Sequence, residues 1–495
     1  MPRNFVFVLG LLAASAAIFP VMATNGMNLE GYGPISTGMG GTSFAFDNGS
    51  AALMNNPATL GLNGSDLTLD LALGNLGPNV KATVSTPNGE MEAESSADAF
   101  YMPALGILKR SGDLTFGLGV FGQGGMGTEF SANSWMADPS MGANTALESG
   151  LVNRSEVSVG RVLLPLTYQV NEKFRVGGSF DVVWASMDLQ MAMSEAQFQN
   201  LANPQAQTIG TASGSMVSAF GQMYEPFGGS GISKLHHAYF DYSNDSDFAG
   251  EAFGSGLAAK LGLLYQATPQ LTVGATYHSK TSLSDLETDN ATMSMAINVD
   301  PGIFQGAPTG TYMDMNMPIA GEISVKDFQW PAIYGAGLAY RPNEKLLLAC
   351  DVKVIGWADV MEQFQLVFVA DDSPENGGFA GLEMDAVLFQ EWEDQTVFSI
   401  GGAYQATDAI TVRAGLNTSK NPIPDTFVNA LFPAIVENHI SFGAGYKFND
   451  ANGIDLSMTA GTETTQTNAG NGTTIPPVES SHSQFNWQFM YSHNF

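Results

Sequence analysis

Gln484-Phe485-Asn486-Trp487-Gln488-Phe489-Met490-Tyr491-Ser492-His493-Asn494-Phe495 ends the chain, and its alternation decides the fold. Phe485, Trp487, Phe489, Tyr491, His493 and Phe495 fall on one face, whereas Gln484, Asn486, Gln488, Met490, Ser492 and Asn494 fall on the other. Side chains alternate sides along a strand, so an aromatic face is backed by a mostly polar one. The edge strand of a soluble sandwich would normally blunt such a face with Lys or Pro. A strand long enough to cross a bilayer at a tilt, with aromatics on one side, reads as a lipid-facing stave of an outer-membrane barrel. Its terminal Phe495 is then the signal read by the barrel assembly machinery.

The other end agrees with export. Arg3 precedes an apolar run over residues 5–18, and Val21-Met22-Ala23 supplies the small residues that a signal peptidase reads. Cleavage is expected after Ala23, making 1–23 a signal peptide. The run is shorter than the roughly 18 residues that a spanning helix needs. Among 495 residues only 13% are charged and 56 are Gly, and no Pro/Ser linker divides them, which favours one large domain. A net charge of −30 argues against nucleic acid and against simple electrostatic binding to anionic lipid. The lone Cys350 shares a phase with Leu346 and Leu348 and reads as a small apolar wall residue.

Working back from the terminal strand, pairs of alternating segments joined by tight turns recur. Leu261, Leu263 and Tyr265 lead into Thr268-Pro269-Gln270, and Leu271, Val273, Ala275 and Tyr277 lead away. Five similar turns lie near residues 109–113, 171–173, 341–344, 407–408 and 449–452. Seven mostly longer connections lie near 76–96, 123–155, 191–250, 282–329, 359–395, 420–437 and 462–483. Short turns alternating with long loops is the asymmetry of an outer-membrane barrel. Thirteen connections imply fourteen strands over residues 65–495, closed because hydrocarbon offers no partner to a free edge. Residues 24–64, rich in Gly, Asn and Ser, fit no strand and could be a disordered leader or a plug.

Several segments carry a resemblance. Gly40-Gly41-Thr42-Ser43-Phe44-Ala45-Phe46-Asp47, then Asn55-Asn56-Pro57-Ala58, resembles the N-terminal hatch of the FadL/TodX family of outer-membrane transporters for hydrophobic compounds, with Asn56, Pro57 and Ala58 as its motif. Similarity continues through Tyr101-Met102-Pro103-Ala104, residues 116–121, 349–357, 412–415 and 421–425, and 439–448, in family order. The resemblance implies a fourteen-stranded barrel with an N-terminal hatch, capture of a hydrophobic ligand among outer loops, and passive movement to an inner site. It also implies an inward kink in the third strand that opens the wall, so that ligand leaves sideways into the outer leaflet. That strand carries Gly117, Gly119 and Gly122, followed by Gly124 and Gly125, and Gly within a strand permits a bulge or relieves crowding.

Phase then sorts the lining. Over residues 156–170, Val162, Leu164, Leu166, Tyr168 and Val170 suit lipid, and Val157, Val159, Arg161 and Leu163 turn inward. An apolar lumen with one embedded cation suits an amphiphile with an anionic head, so Arg161 and Arg413 are the expected carboxylate partners. For any single Arg in so acidic a protein, pairing with a lumenal Asp or Glu is a more expected fate than ligand binding. Met216, Phe220 and Met223 in the 191–250 connection, with Phe130 and Trp135 from the preceding loop, are the expected outer capture site. Long-chain fatty acid is the leading ligand, with aromatic or alkane hydrocarbon as rival and a general porin or adhesion barrel as the alternative of another class. The expected setting is the lipopolysaccharide-bearing membrane, with the protein a monomer and no cofactor or metal. No P-loop, His-Glu-x-x-His or Gly-x-Ser-x-Gly occurs. His439 with Ser441 leaves a barrel phospholipase as the enzyme alternative, and His236, His237, Asp241, Asp245 and Asp247 fit no defined metal loop.

Overall fold

The computed structural model describes residues 25–62, 64–86, 89–137, 150–246, 249–472 and 474–495, so the expected signal peptide and Thr24 lie outside the described residues. Fourteen antiparallel strands follow one another around a ring: β1 (Leu67–Leu76), β2 (Phe100–Ser111), β3 (Leu114–Phe130), β4 (Asn153–Asn171), β5 (Phe174–Ser194), β6 (Ala252–Gln266) and β7 (Leu271–His278). They continue as β8 (Ile333–Asn343), β9 (Leu346–Ile355), β10 (Gln395–Gln405), β11 (Ile410–Ser419), β12 (Asn438–Lys447), β13 (Asn452–Asn468) and β14 (Val478–Asn494). Each pairs with the next. The quoted terminal strand closes the ring, with Tyr491 of β14 opposite Leu71 of β1.

The phases fall as expected. Leu164, Leu166, Tyr168 and Val170 of β4, Val412 and Leu416 of β11, and Phe485 and Phe489 of β14 are exposed, forming the outward apolar band. Asn486, Gln484 and Met490 are buried inside. Cys350 is exposed among the wall residues.

The long connections depart from the expectation of plain loops. Leaving β5, strands Ile232–Tyr242, Leu286–Val299, Met313–Lys326, Gln363–Ala370, Glu383–Phe389 and Gly210–Ser213 hydrogen-bond in that order. Three separate connections thus build one outer sheet above the barrel. Its period was present in the sequence: Met293, Met295, Ile297 and Val299 alternate and are all buried. Helix Glu195–Ala202, with Ser194 and Gln197 forming a reciprocal capping box, and helix Ser215–Met223 pack against it.

Residues 25–62 sit inside the ring without forming a strand, and bond to staves on every side. Ser50 N–H donates to Asp70 of β1 at 2.8 Å, and Thr167 of β4 donates to the Pro57 carbonyl at 2.6 Å. Ser43 and Phe44 amides donate to Asp351 of β9 at 2.7 and 3.1 Å. Gly40 N–H donates to Ser441 of β12 at 2.8 Å. Close approach of this hatch requires bare backbone on the wall: a Cβ at Gly274 would overlap the Phe44 carbonyl, and one at Gly415 would overlap Gly40. Much of the high glycine content therefore belongs to the docking of hatch on wall.

Candidate functional site

The wall parts between β2 and β3. Their ladder runs from Ser111–Leu114 up to Leu105–Val120 and stops. Above that rung β2 stays paired with β1 as far as Phe100, and β3 stays paired with β4 as far as Phe130. A bulge between Gly122 and Gly124 inserts Gln123 as an extra residue, which bends β3 and increases its twist. A cavity of about 880 Å³ fills the parting, bordered by Tyr101, Met102, Gly122, Met126, Val157 and Val159 among others. Tyr101 is 61% exposed on the outer surface and Val157 is 3% exposed inside, so residues of both faces of the wall border the space.

Backbone contacts hold the bend inward. Gly125 N–H donates to the Met27 carbonyl at 3.2 Å, Asn28 bridges to Gly124, and the Tyr32 hydroxyl donates to the Gln123 carbonyl at 2.6 Å. A Cβ on Gly124 would overlap the Met27 carbonyl, and a Cβ on Gly125 would overlap the Val157 carbonyl. Of the three glycines singled out in the sequence, Gly122 borders the opening. Gly117 and Gly119 lie in the closed ladder below it, where a Cβ would meet the Ile107 carbonyl or Leu53.

Both arginines singled out as carboxylate partners are already paired within the wall, the fate that the acidic composition favoured. Arg161 is fully buried, and its guanidinium donates to Asp181 at 2.8 Å and to the Gln123 side-chain oxygen. Asp181 also receives Lys260 and the Ser179 hydroxyl. Arg413 meets Asp455 at 2.7 Å. Arg154, on the border of the wall cavity, is shared by Glu156 at 3.0 Å, Asp188 at 3.2 Å and Glu129 at 4.0 Å. Carboxylates thus outnumber cations at that border.

The remaining predicted residues divide. Val157 and Val159 line the wall cavity, while Leu163 packs below it with Leu29, Tyr32, Leu53 and Phe121 at the hatch. Met216 and Phe220 border a small apolar space under the outer sheet with Met193, Met293, Met295 and Met384, and Met223 packs beside that core. Phe198 meets Phe220 edge to face at 5.3 Å. Phe130 is buried in the same core, and the Trp135 indole donates to the Ala82 carbonyl at 3.0 Å, tying its loop to the strand Pro78–Thr86.

Other constellations serve other ends. Ser441 accepts the hatch amide of Gly40, so it is a docking group. His236 pairs with Asp314 at 3.0 Å, Asp247 lies outside the described residues, and no group of three or more His, Cys, Asp or Glu among the described residues is placed to hold a metal. What sequence reading missed is an inner floor of tryptophans: Trp330, Trp357 and Trp392 meet edge to face at 5.6 and 5.3 Å, with Gly26 of the hatch laid against Trp357. Their positions, 27 and 35 residues apart in two connections, carry no local signal. Asp181 and Lys260 were also missed, although each is a charge on the inward phase of a wall strand.

Comparison with known proteins agrees with this geometry. The family model described as outer membrane protein transport protein (OMPP1/FadL/TodX) matches residues 11–485. The Pseudomonas putida toluene transporter TodX is 31% identical with a TM-score of 0.76, covering 94% of this chain and 99% of its own. The Ralstonia pickettii toluene transporter TbuX is 28% identical with a TM-score of 0.71, over 94% and 99%. A Pseudomonas aeruginosa FadL homologue shares the fold at 15% identity and a TM-score of 0.64, over 97% and 100%. An uncharacterized Chlorobium limicola protein from a phosphoenolpyruvate carboxykinase gene 5′ region is 69% identical over 42 residues, so the match spans 21% of that relative's length and 8% of this chain.

Proposed function

This chain belongs to the FadL/TodX family of outer-membrane transport proteins, and from that premise we propose that it admits small neutral hydrophobic molecules, monoaromatic hydrocarbons foremost, and releases them through the parting between β2 and β3. As a family member it is a Gram-negative outer-membrane β-barrel channel for hydrophobic compounds. One observation carries the choice of a neutral ligand over the fatty acid that the sequence favoured: Arg154, Arg161 and Arg413 are each already held by carboxylates. An incoming carboxylate would have to displace Asp181 from a buried pair, and stripping one partner from such a pair costs about 3–5 kcal/mol. A neutral ring has no such barrier and gains from apolar burial, about 0.8 kcal/mol per methylene equivalent. The toluene transporters among the similar structures support the same reading.

In this scheme the ligand partitions under the outer sheet, passes to the tryptophan floor beside the hatch, and leaves by the wall. The hatch closes the lumen to water, and the protein acts as a monomer inserted by the barrel assembly machinery below the lipopolysaccharide.

A cross-link tests the route. A Cβ built on Gly122 stands 3.6 Å from the Cβ of Met102, within the roughly 3.5–4.5 Å that a disulfide spans. In a Cys350→Ala background, oxidised Met102→Cys/Gly122→Cys should lose toluene uptake and regain it on reduction. Uptake indifferent to the cross-link would defeat lateral release. Uptake of oleate in preference to toluene would restore the fatty acid reading, and sugar leakage would support a polar porin.

A further inference from the structure

The fully buried ionic cluster behind β3 is not needed to bind a neutral ligand, yet it spans four staves. Gln123, the extra residue of the bulge, accepts at its side-chain oxygen from the Nε–H of Arg161 on β4. Arg161 bonds Asp181 on β5 at 2.8 Å, and Asp181 bonds Lys260 on β6. All four residues are at most 2% exposed. Leaving so many charges out of water is costly unless each is bonded, and here each finds a partner in the next stave.

We infer that this Gln123–Arg161–Asp181–Lys260 rung is the brace that sets the inward course of β3, and hence the width of the parting, with Gln123 its side-chain attachment to that strand. Three observations converge on it. The bulge leaves Gln123 out of the ladder register, so that side chain is free to serve the lumen. The cluster holds two cations and one carboxylate, so Arg161 retains donor capacity that the neutral amide oxygen of Gln123 takes up. The main chain of the same residue is gripped from the other side by Tyr32 of the hatch, which places Gln123 between hatch and wall. These are positioning residues: none needs to touch ligand. The inference rests on lateral release.

The test removes the attachment and leaves the ion pairs. Gln123→Leu keeps Arg161, Asp181 and Lys260 together but frees β3 from them. Gln123→Glu keeps the acceptor and supplies the second carboxylate that the cluster lacks. With reduced Met102→Cys/Gly122→Cys as reporter in the Cys350→Ala background, Gln123→Leu is expected to change the rate of disulfide formation and lower toluene uptake by about tenfold, the worth of one hydrogen bond to a charged group. Gln123→Glu is expected to restore both. A merely structural role would lower heat stability without changing the cross-linking rate. Unchanged cross-linking and uptake in Gln123→Leu would overturn the brace, as would equal loss in Leu and Glu variants. The oxidised cross-link alone separates the two levels: if it blocks uptake while Gln123→Leu is silent, lateral release stands and the brace falls; if it blocks nothing, lateral release itself falls.

Discussion

Replacing Asn56 should release the hatch. The residue is fully buried and works in three directions: its side-chain oxygen accepts the Ala58 amide at 3.0 Å, capping the short helix Pro57–Thr59, and its amide donates to the carbonyls of Phe44 at 2.7 Å and Leu263 at 3.2 Å. The first bond folds the motif, the second ties it to the rest of the hatch, and the third fastens it to β6. Asn56→Ala removes all three, at about 1 kcal/mol each, so about 3 kcal/mol in total and about a hundredfold rise in the undocked fraction. Asn56→Asp is the sharper variant. It has the same shape and keeps the helix cap, but turns a carboxylate oxygen toward two carbonyl oxygens. Single-channel conductance in planar bilayers and protease cleavage within residues 25–62 would read the undocked state, while heat-modified migration reports the barrel itself. The expected order of leakiness is Asn56→Asp, then Asn56→Ala, then the parent, with barrel migration unchanged. An Asn56→Asp variant as tight as the parent would refute the reasoning, because shape alone would then be holding the hatch.

Three further outcomes follow from the geometry. Gly122→Leu should abolish toluene uptake without loss of heat stability, since a Cβ there makes only ordinary contact with Met102 at 3.5 Å and projects into the wall cavity; uptake with purified, correctly folded protein decides this. Arg413→Ala should destabilise the barrel by about 3–5 kcal/mol by stranding Asp455, and Arg413→Ala/Asp455→Ala should recover much of it, with uptake per folded molecule unaltered in both; urea unfolding and transport assays together check it. Phe220→Ala should loosen the outer sheet by about 3–5 kcal/mol, seen as faster hydrogen exchange over residues 195–227 and slower uptake at low toluene concentration.

The barrel was legible because its signal is local. Alternation in a strand such as 156–170 tells which side faces lipid, and Leu164, Leu166 and Tyr168 lie where that phase puts them. Turn residues such as Thr268-Pro269-Gln270 then mark where one stave ends. The outer sheet was less legible because its strands pair across three connections, and order among Ile232–Tyr242, Leu286–Val299 and Gly210–Ser213 is set by packing remote in sequence. The site was legible in part for a related reason. Phase showed that Arg161 points inward, but a partner on another stave depends on stagger between strands. Asp181 lies opposite Leu163, not Arg161, and reaches the guanidinium diagonally. A charged residue on an inward phase is best read with every other inward charge nearby, and by that rule Asp181 and Lys260 stand beside Arg161.

The hatch and the opening in the wall are one device. Parting two staves inside a membrane leaves main-chain groups without ladder partners, and hydrocarbon cannot supply them. Here the loss is partly offset from within: Met27 and Asn28 of the hatch pair with Gly125 and Gly124, acting as a short surrogate strand at the bend. The same bend presents Gln123 to the buried ion pairs and the Gln123 carbonyl to Tyr32. The glycines at 124 and 125 are required because two backbones meet there with no room for a Cβ. A hatch that moved away from β3 would therefore remove partners from the very strand whose course sets the parting. Undocking the hatch and narrowing the parting should be coupled, and the Asn56 variants joined to the Met102/Gly122 reporter measure that coupling: the leakier the hatch, the further the cross-linking rate should shift from that of the parent. A rate that stays fixed while conductance rises would show that β3 holds its bend without the hatch, through its ladder to β4 and the brace at Arg161.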